Sequence, residues 1–350
     1  MINVGVLGFA QGHVMNYGKV WMDNPEYGVQ ITAGYDHDAE RLAKSCEVFH
    51  AKACASPEEL LACDISAVVI SAETKFHAEL VEMAAAAGKD IILYKPMALT
   101  MAEADRIMDA VNKNGVRFTM GWQMRVDPQN LQMKALIDSG ELGDITIYRR
   151  RHSLNTHEWD NFGTTSWHAS AEYNRDIFAD DSSHPLNMMQ WIFGMPETVS
   201  CEMSTIVDPT IRNDTAVALF KYKSGMIAEI TCQFTCPTAE ITTEVYGSKG
   251  VIQQYFGDLV STRLPHSEQG LKWFKLGDED WTNSEIPSPK AHGARIGWQA
   301  EPLAKFLKGE REAICSAEEG RDSLRLVLAC YLSAQLGQRV SVWDERIKDI

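Results

Sequence analysis

AGKDIILYKP, residues 87–96, is the stretch that decides the fold of the first part of this chain. Its apolar run, Ile91 to Leu93, is typical of a buried parallel strand, and Lys95 follows at the carboxyl end. Pro96 ends the strand because proline cannot donate to a sheet, and the tight positioning predicts a cis Lys95–Pro96 peptide bond. Ligands of open α/β sheets bind beyond the carboxyl ends of strands, so Lys95 is a candidate for chemistry. The alternative is a surface lysine that happens to follow a strand.

The same stretch belongs to an alternation of strands and helices that continues to about residue 120. Strands alternating with helical stretches predict a parallel sheet with helices on both faces, which is the doubly wound α/β arrangement. We therefore expect the first domain to comprise residues 1–122. The predicted strands cover 2–7, 29–35, 67–71, 91–93 and 116–120. The first helical stretch ends near residue 22, and the other predicted helices cover 39–49, 76–87 and 101–114.

The composition fits two ordinary globular domains. A chain of 350 residues is long for one core, and 45% hydrophobic with 23% charged residues is a common globular balance. The net charge of -15 argues against nucleic acid or an anionic membrane as the main partner. The eight cysteines form no Cys-x-x-Cys pair, and we expect them to be reduced. Because Met1 leads straight into a strand and no apolar run reaches membrane length, we expect a cytoplasmic location.

The first predicted strand is followed by a glycine-containing turn, Gly8-Phe9-Ala10-Gln11-Gly12-His13. The dinucleotide fingerprint G-x-G-x-x-G/A uses glycines for a tight turn and for close approach of a pyrophosphate to a helix N-terminus. Only Gly8 is in register, because Ala10 and His13 replace the other two glycines and Gly12 lies one place early. By itself this turn is a weak match.

Asp36 strengthens the dinucleotide interpretation. It follows the second strand at the distance expected of a carboxylate that accepts both ribose hydroxyls. Such a carboxylate would repel a 2′-phosphate, so it favours NAD over NADP. The alternative is a capping role, since Asp36 or Asp38 could cap the helix that begins at Ala39. Strand, turn and acid together favour cofactor binding.

The pattern changes after residue 122, where several strands follow one another without helices. Such runs predict an antiparallel or mixed sheet, here in a substrate-binding and oligomerisation domain of residues 123–350. One face of such a sheet covers a core, and the other is often available for subunit pairing. The predicted strands cover 144–151, 197–206, 216–222, 226–235, 241–246 and 251–255, and helices are predicted over 128–139 and 317–336.

The segment FADDSSHPLNMMQW, residues 178–191, carries a carboxylate and an imidazole at helical spacing. Asp180 and His184 are four residues apart and would share one face of a helix, whereas Asp181 lacks that spacing. A carboxylate beside an imidazole orients the ring, as a general base requires. The alternatives are a helix-start carboxylate with a satisfied histidine, and a metal site, although no third ligand is evident.

In this order along the chain, these residues resemble the glucose-fructose oxidoreductase / inositol dehydrogenase / rhizopine catabolism (Gfo/Idh/MocA) family. The resemblance covers nearly the whole chain. It implies an N-terminal Rossmann domain and a C-terminal α/β domain with a large open sheet, and NAD(P)-dependent chemistry at a sugar or cyclitol carbon, in dimers or tetramers. The matching pieces are the turn at 8–13, Asp36, His77, 87–89, 95–96, Arg125, 138–145, Trp167, Asp180, His184, 246–250 and 329–334.

The resemblance also implies roles for individual residues. Lys95 corresponds to an active-site lysine that hydrogen-bonds the reacting oxygen, and Asp180 and His184 to an Asp/His pair in which His184 is the base. His168 and Tyr94 are the next candidates for the base. The implied cofactor residues are Gly8, Phe9, Ala10, Gln11, Gly12, Asp36, Ser71, Glu73, His77, Lys95 and Gln123, and the implied substrate residues are Lys95, Arg125, Trp167, His168, Asp180 and His184.

The chain departs from the family pattern at several positions. Tyr94 replaces the usual glutamate before the lysine, and Glu73-Thr74 replaces a proline-asparagine pair. A glycine-rich run is replaced at 175–179, a carboxylate by Asn187, and the arginine of a Trp-Arg pair by His168. Most of these changes lie on the substrate side, so they bear on specificity more than on the class of reaction.

Three functional hypotheses follow. The first is an NAD-dependent dehydrogenase of a sugar, glycoside or cyclitol that forms a homodimer or homotetramer and needs no metal. The second is a lyase or glycosidase-type enzyme in which bound NAD is recycled, so that NADH does not accumulate. The third is a non-catalytic regulator that responds to NAD or sugar, which the degraded glycine turn suggests. Lys95, Asp180 and His184 favour an enzyme.

Overall fold

The computed structural model describes residues 1–156, 166–237, 240–257, 270–290 and 292–350. Packing divides the chain into two compact units. The first holds Met1–Val126 and Gly293–Leu324, and the second holds Asp127–His292 and Arg325–Ile350. Residues 293–324 thus belong to the first unit and not to the expected second domain of 123–350, because nothing in their composition marks a return to the first unit.

The first unit is built on a parallel sheet, and this confirms the predicted doubly wound arrangement. Within the described residues its spatial strand order is β3-β2-β1-β4-β5-β6, with β1 and β4 adjacent at the centre where the strand order reverses. Ligands of such sheets bind at this reversal, beyond the carboxyl ends of the strands. The strands are β1 (Ile2–Leu7), β2 (Val29–Tyr35), β3 (Lys52–Ala53), β4 (Ala67–Ile70), β5 (Asp90–Leu93) and β6 (Phe118–Met120).

The helices of this part of the chain begin and end where the local chemistry requires it. Thr100 and Glu103 form a capping box at the start of the helix over Met101–Asn114, and Gly115 ends that helix in the left-handed conformation. The helices are α1 (His13–Asp23), α2 (Ala39–Phe49), α3 (Pro57–Leu61), α4 (His77–Ala86) and α5 (Met101–Asn114), with 3-10 turns at Pro25–Tyr27, Thr74–Phe76 and Gln123–Arg125. The two-residue β3 and the short α3 were not predicted, because neither is long enough to show a period.

The second unit is built on a mostly antiparallel sheet, as the runs of strands predicted. In the described residues its order is β14-β13-β12-β11-β7-β10-β9-β8-β15. The neighbours β7 and β10 are parallel, which the sequence did not indicate. The strands are β7 (Ile145–Ser153), β8 (Thr198–Ser204), β9 (Thr215–Lys221), β10 (Ile227–Gln233), β11 (Glu240–Gly247), β12 (Gly250–Gly257), β13 (Leu271–Lys275), β14 (Thr282–Asn283) and β15 (Val340–Ser341).

One face of this second sheet is covered and the other is open. Along β7 the side chains alternate, so Tyr148, Arg150 and His152 are buried while Arg149 and Arg151 are exposed.

The remaining helices are α6 (Pro128–Asp138), α7 (Ile177–Asp181), α8 (Ser183–Phe193), α9 (His292–Gly297), α10 (Ala300–Leu307) and α11 (Ala317–Leu336), with 3-10 turns at Trp167–Ala169 and Glu345–Asp349. None of the helices in the described residues combines the length and the apolarity that crossing a membrane requires.

Candidate active site

The turn after β1 is shaped by Gly8, whose φ of +83° lies in the left-handed region. A Cβ at this position would lie 2.4 Å from the Cα of Ala72, so a side chain here would force the backbone to move. Gly12, by contrast, has open space above its Cα and precedes α1 with no side-chain cap from the described residues. The first amides of α1 are therefore arranged as an anion-binding site requires.

Gln11 and Ser71 hold the turn against the end of β4. The Gln11 amide donates to the carbonyl of Ser71 at 2.9 Å, and the Ser71 hydroxyl donates to the carbonyl of Gln11 at 2.7 Å. The Gln11 Nε2 is buried and has no hydrogen-bond partner among the described residues. A buried donor at the mouth of an anion site fits a phosphate oxygen. Ser71 thus positions the turn, while Gln11 is suited to contact a ligand.

Asp36 lies at the end of β2 and is buried. Its carboxylate accepts the amide of Phe9 at 2.7 Å, which ties it to the glycine turn, and it also accepts a two-bond fork from Arg41. The cap of α2 is Asp38, which accepts the amides of Glu40 and Arg41. The capping alternative therefore applies to Asp38 and leaves Asp36 for another role.

A cavity of roughly 300 Å³ opens beside Asp36 within the first unit. Its lining combines apolar side chains with the Asp36 carboxylate and Gly8 of the turn, so it fits an adenine with its ribose. Together with the α1 amides and Gln11, these residues fit NAD. Ala10, the remaining predicted residue of the turn, is half-buried. The cavity is lined by Gly8, Tyr35, Asp36, His37, Pro57, Glu58, Ala72, Phe76, Glu79, Leu80 and Met83.

His77 joins two loops of the first unit from a fully buried position. One ring nitrogen, Nε2, lies 3.0 Å from the carbonyl oxygen of Ala72, and Nδ1 lies 2.9 Å from that of Pro96 and 3.3 Å from that of Met97. Burial lowers the pKa of His77 and outweighs the three carbonyl oxygens, which raise it. His77 was predicted to bind the cofactor, and these contacts favour holding the turn that carries Lys95.

Lys95 follows β5 and is 3% exposed, so it is not the surface lysine of the alternative interpretation. The Lys95–Pro96 peptide bond is cis, as predicted. The preceding Tyr94 stacks on Tyr17 and donates to Gln299 at 3.3 Å. Burial, and then Tyr17, raise the pKa of Tyr94 well above its usual value, which argues against Tyr94 as a base.

Gln123 and Arg125 lie in the 3-10 turn after β6 and are both buried. The Gln123 Oε1 has no hydrogen-bond partner among the described residues, which is compatible with a ligand contact. Arg125 Nη1 donates to Glu319 at 2.7 Å and to the carbonyl of Ile314 at 3.2 Å. These bonds favour a structural role for Arg125 over the predicted substrate role.

In the second unit, Asp180 contacts His168, and this pairing was not predicted. His168 Nδ1 lies 3.0 Å from Asp180 Oδ2, and the ring of Trp167 stacks on the His168 ring at 4.0 Å between centroids. A carboxylate at Nδ1 favours the tautomer that keeps the proton on Nδ1 and the lone pair on Nε2. This is the arrangement that a general base needs.

Asp181 is placed differently from the prediction, which set it apart from His184. Its Oδ2 lies 2.7 Å from His152 Nε2 and its Oδ1 lies 3.8 Å from His184 Nε2. The expectation that Asp181 lies away from His184 is therefore wrong. The physical reason is that Asp181 is three residues before His184, and residues three apart are neighbours on a helix just as residues four apart are.

His152 is the member of this group that the sequence did not reveal. It lies on the covered face of β7, and its ring centroid is 6.0 Å from that of His184. The period-two alternation places Tyr148, Arg150 and His152 on one face of the strand, but it does not show that this face is covered, because the other face carries Ile145 and Ile147. Nothing in the sequence indicated that the core there holds Asp181.

A group of three metal-binding side chains was not found among the residues that the structure describes. The candidate sites are thus a nucleotide cavity with Lys95 in the first unit, and two histidine–carboxylate groups in the second. Each contains residues that can bind or move a proton.

Two family models match the chain. One, an oxidoreductase family with an NAD-binding Rossmann fold, matches residues 2–122, and the other, the GFO/IDH/MocA C-terminal domain, matches residues 130–253. A myo-inositol 2-dehydrogenase of Thermotoga maritima is 30% identical over 81% of this chain and 82% of its own. A D-apiose dehydrogenase of Paraburkholderia graminis is 26% identical over 93% of this chain and 86% of its own. The solved structure of a levoglucosan dehydrogenase with NADH and levoglucosan has a TM-score of 0.84 at 19% identity, covering 98% of this chain and 100% of its own.

Proposed function

Because this chain belongs to the GFO/IDH/MocA family of NAD-binding oxidoreductases, we propose that it oxidises a secondary alcohol of a sugar, glycoside or cyclitol with NAD. The observation that carries the proposal is the buried Lys95 at the carboxyl end of β5. The names of the relatives support the substrate class, since they are dehydrogenases of myo-inositol, D-apiose and levoglucosan.

The first unit offers a place for each part of NAD. The cavity beside Asp36 would take the adenosine, and the α1 amides with Gln11 would take the pyrophosphate. Gln123, after β6, would contact the cofactor with its buried Oε1. When bound, NAD supplies the chemistry of hydride acceptance.

The protein's own residues would have to transfer one proton from the substrate. Oxidation of an alcohol requires a base to remove the hydroxyl proton as the hydride leaves, and we assign this role to His184, with Asp181 as the described carboxylate beside it. Lys95 would hydrogen-bond the reacting oxygen, and its ammonium would stabilise the charge that develops there.

A specific observation supports His168 as a second candidate for the base. Its 3.0 Å contact with Asp180 and its stack on Trp167 orient the ring, and its side chain is 24% exposed against 6% for His184. In this case Asp180 keeps its predicted role of orienting a base, but the ring it orients belongs to His168. The two assignments give opposite results for single substitutions.

The test is a screen of sugars, glycosides and cyclitols with NAD, in which NADH absorbance and product mass are both followed. Growth of NADH with a product two hydrogens lighter supports a dehydrogenase. Product without NADH would point to the recycled-cofactor reaction, and the absence of both would contradict an enzyme.

The variants identify the residues. We expect Lys95→Met to lower turnover by roughly 10²-fold or more while NAD affinity is kept, and Lys89→Met, whose lysine donates to the Ile65 carbonyl, to have little effect. His184→Ala should lower turnover by the same factor, and Asp180→Asn should lower turnover too. If His168→Ala abolishes turnover while His184→Ala is tolerated across pH 6 to 9, the base is His168.

We also propose that the chain forms a homodimer through the open face of the second sheet. Ile147, Val217, Leu219 and Ile227 are all at least 40% exposed there, and apolar side chains grouped on one sheet face support a protein contact. The cytoplasmic location stays a prediction from the sequence.

A further inference from the structure

The carboxylate of Asp36 is saturated with hydrogen bonds. Its Oδ2 accepts the Phe9 amide and the Arg41 Nε, both at 2.7 Å, and its Oδ1 accepts the Asp38 amide at 2.8 Å and the Arg41 Nη2 at 2.7 Å. A carboxylate has about four lone-pair sites, and all are used. Two ribose hydroxyls therefore need two of these bonds to be released.

The bonds that can be released are those of Arg41. The Phe9 and Asp38 donors are backbone amides of the turns that form the pocket, so losing them would disturb the pocket itself. The Arg41 side chain, by contrast, is 26% exposed and has rotatable bonds through which its guanidinium can move. NAD binding at Asp36 thus displaces a cation that must find another partner.

Glu73 is that partner. Its Oε1 already accepts Arg41 Nη2 at 2.9 Å, and its Oε2 is buried with no hydrogen bond among the described residues. The Nδ1 atom of His37 lies 3.7 Å from Oε2, which is beyond hydrogen-bond distance. Glu73 can therefore accept a second guanidinium bond without giving up an existing one.

We propose that Arg41 is a movable cation shared by Asp36 and Glu73, and that Glu73 determines cofactor choice by retaining Arg41 when a ribose occupies Asp36. The inference rests on the proposed NAD-dependent function. A guanidinium at this place would otherwise bind the 2′-phosphate of NADP, because its fork matches a phosphate and is always charged. When Glu73 holds Arg41, its guanidinium is not available to bind the 2′-phosphate of NADP.

The formal charges of these three residues also favour NAD over NADP. Asp36, Arg41 and Glu73 carry a sum of one negative charge, which disfavours a 2′-phosphate. Without the charge of Glu73 the sum is zero, and the guanidinium has only Asp36 to hold it. Burial alone would lower the pKa of Arg41, but hydrogen bonds and charges from Asp36 and Glu73 outweigh it and raise the pKa, so the cation persists.

The test measures NAD and NADP affinities by calorimetry without substrate. We expect the ratio of the NADP to the NAD dissociation constant to be roughly tenfold smaller in Glu73→Gln than in the wild-type protein. A factor of this size corresponds to one charge-assisted hydrogen bond. In an Arg41→Met background the same substitution should change the ratio by less than about twofold, since the shared cation is gone. The matched control is Glu82→Gln, which breaks another glutamate–arginine pair, to Arg106 at 2.6 Å, outside the cavity lining and should leave the ratio unchanged.

Each other result overturns the inference. An unchanged ratio in Glu73→Gln removes Glu73 from cofactor choice, and an equal change in both backgrounds means direct repulsion of the phosphate without Arg41. Circular dichroism checks the fold of Glu73→Gln, and Glu73→Ala serves as a second variant with the same expectation. Failure of the wild-type protein to bind NAD would defeat the proposed function as well, whereas NAD binding with an unchanged ratio defeats this inference alone.

Discussion

Gly8 and Gly12 are glycines of one turn with different physical roles. Gly8 needs its glycine, because its φ is +83° and a Cβ would strike Ala72, whereas Gly12 has an ordinary φ of -64° and open space above it. The sequence fingerprint could identify Gly8 by register. It could not assign Gly12, because the distance to surrounding atoms depends on the fold.

Replacing each of these glycines by alanine tests their different roles. Gly8→Ala should lower the free energy of unfolding by about 1–3 kcal/mol, because it combines a left-handed φ with a backbone clash. Gly12→Ala should change it by less than about 0.5 kcal/mol. Urea denaturation followed by circular dichroism measures both. Equal stability of the two variants would contradict the conformation assigned to Gly8.

Side-chain pairings were the least predictable part of the candidate site. The i, i+4 rule joined Asp180 to His184, but Asp181, three residues before His184, is also a helical neighbour and lies 3.8 Å from it. The partners His152 and His168 come from other elements, and their approach depends on tertiary packing. Lys95 was predictable because its place depends only on the strand that precedes it.

At the scale of elements, His77 is the residue through which α4 holds two loops together. Its ring touches the carbonyl of Ala72 after β4 and those of Pro96 and Met97 after β5. The loop that carries Lys95 and the wall of the nucleotide cavity are thus fixed by one side chain. No periodic pattern in the sequence reports such a contact.

This contact predicts a pH dependence of stability. The pKa of His77 is lowered in the folded state, so the unfolded chain takes up the proton first as the pH falls below about 6.5, and the free energy of unfolding declines. The decline in the free energy of unfolding has a slope of up to about 1.4 kcal/mol per pH unit, and His77→Asn should remove it. The same substitution should lower the free energy of unfolding at pH 7 by about 1–3 kcal/mol, because it removes buried hydrogen bonds. Denaturation between pH 7 and 5 measures the slope.

The exposed His50 provides the control, since it caps the end of α2 and lies outside this contact. His50→Asn should keep the slope of the wild-type protein. A slope in His77→Asn equal to that of wild type would place the titrating group elsewhere.

At the scale of the whole molecule, the periods of the sequence predicted both sheets and left one of their pairings open. Apolar runs and alternation identified most strands, since each pattern reports burial on one or two faces. The parallel pairing of β7 with β10 was beyond this reasoning, because strand neighbours are chosen by long-range packing. The return of residues 293–324 to the first unit has the same origin.

The proposed dimer gives the prediction at this scale. Leu219→Arg, in the open face of the second sheet, should convert a dimer into a monomer, because it places a charge in the centre of an apolar contact. Light scattering after size-exclusion chromatography measures the mass. Leu276→Arg is the control, since Leu276 is 80% exposed in the turn after β13. A monomeric wild type, or an unchanged mass for Leu219→Arg, would contradict the proposal.

The edges of both sheets limit how this molecule can grow. Among the described residues the outermost strands are β3, β14 and β15 with two residues each and β6 with three, so each of these strands itself has only a few unpaired backbone groups. Strand addition, the route to open-ended fibres, therefore finds only a short template on each of these four strands. Association through a sheet face obeys different geometry, because two identical faces that meet about a two-fold axis use each other up. A dimer formed through this face, as we propose, would therefore be a closed assembly of defined size.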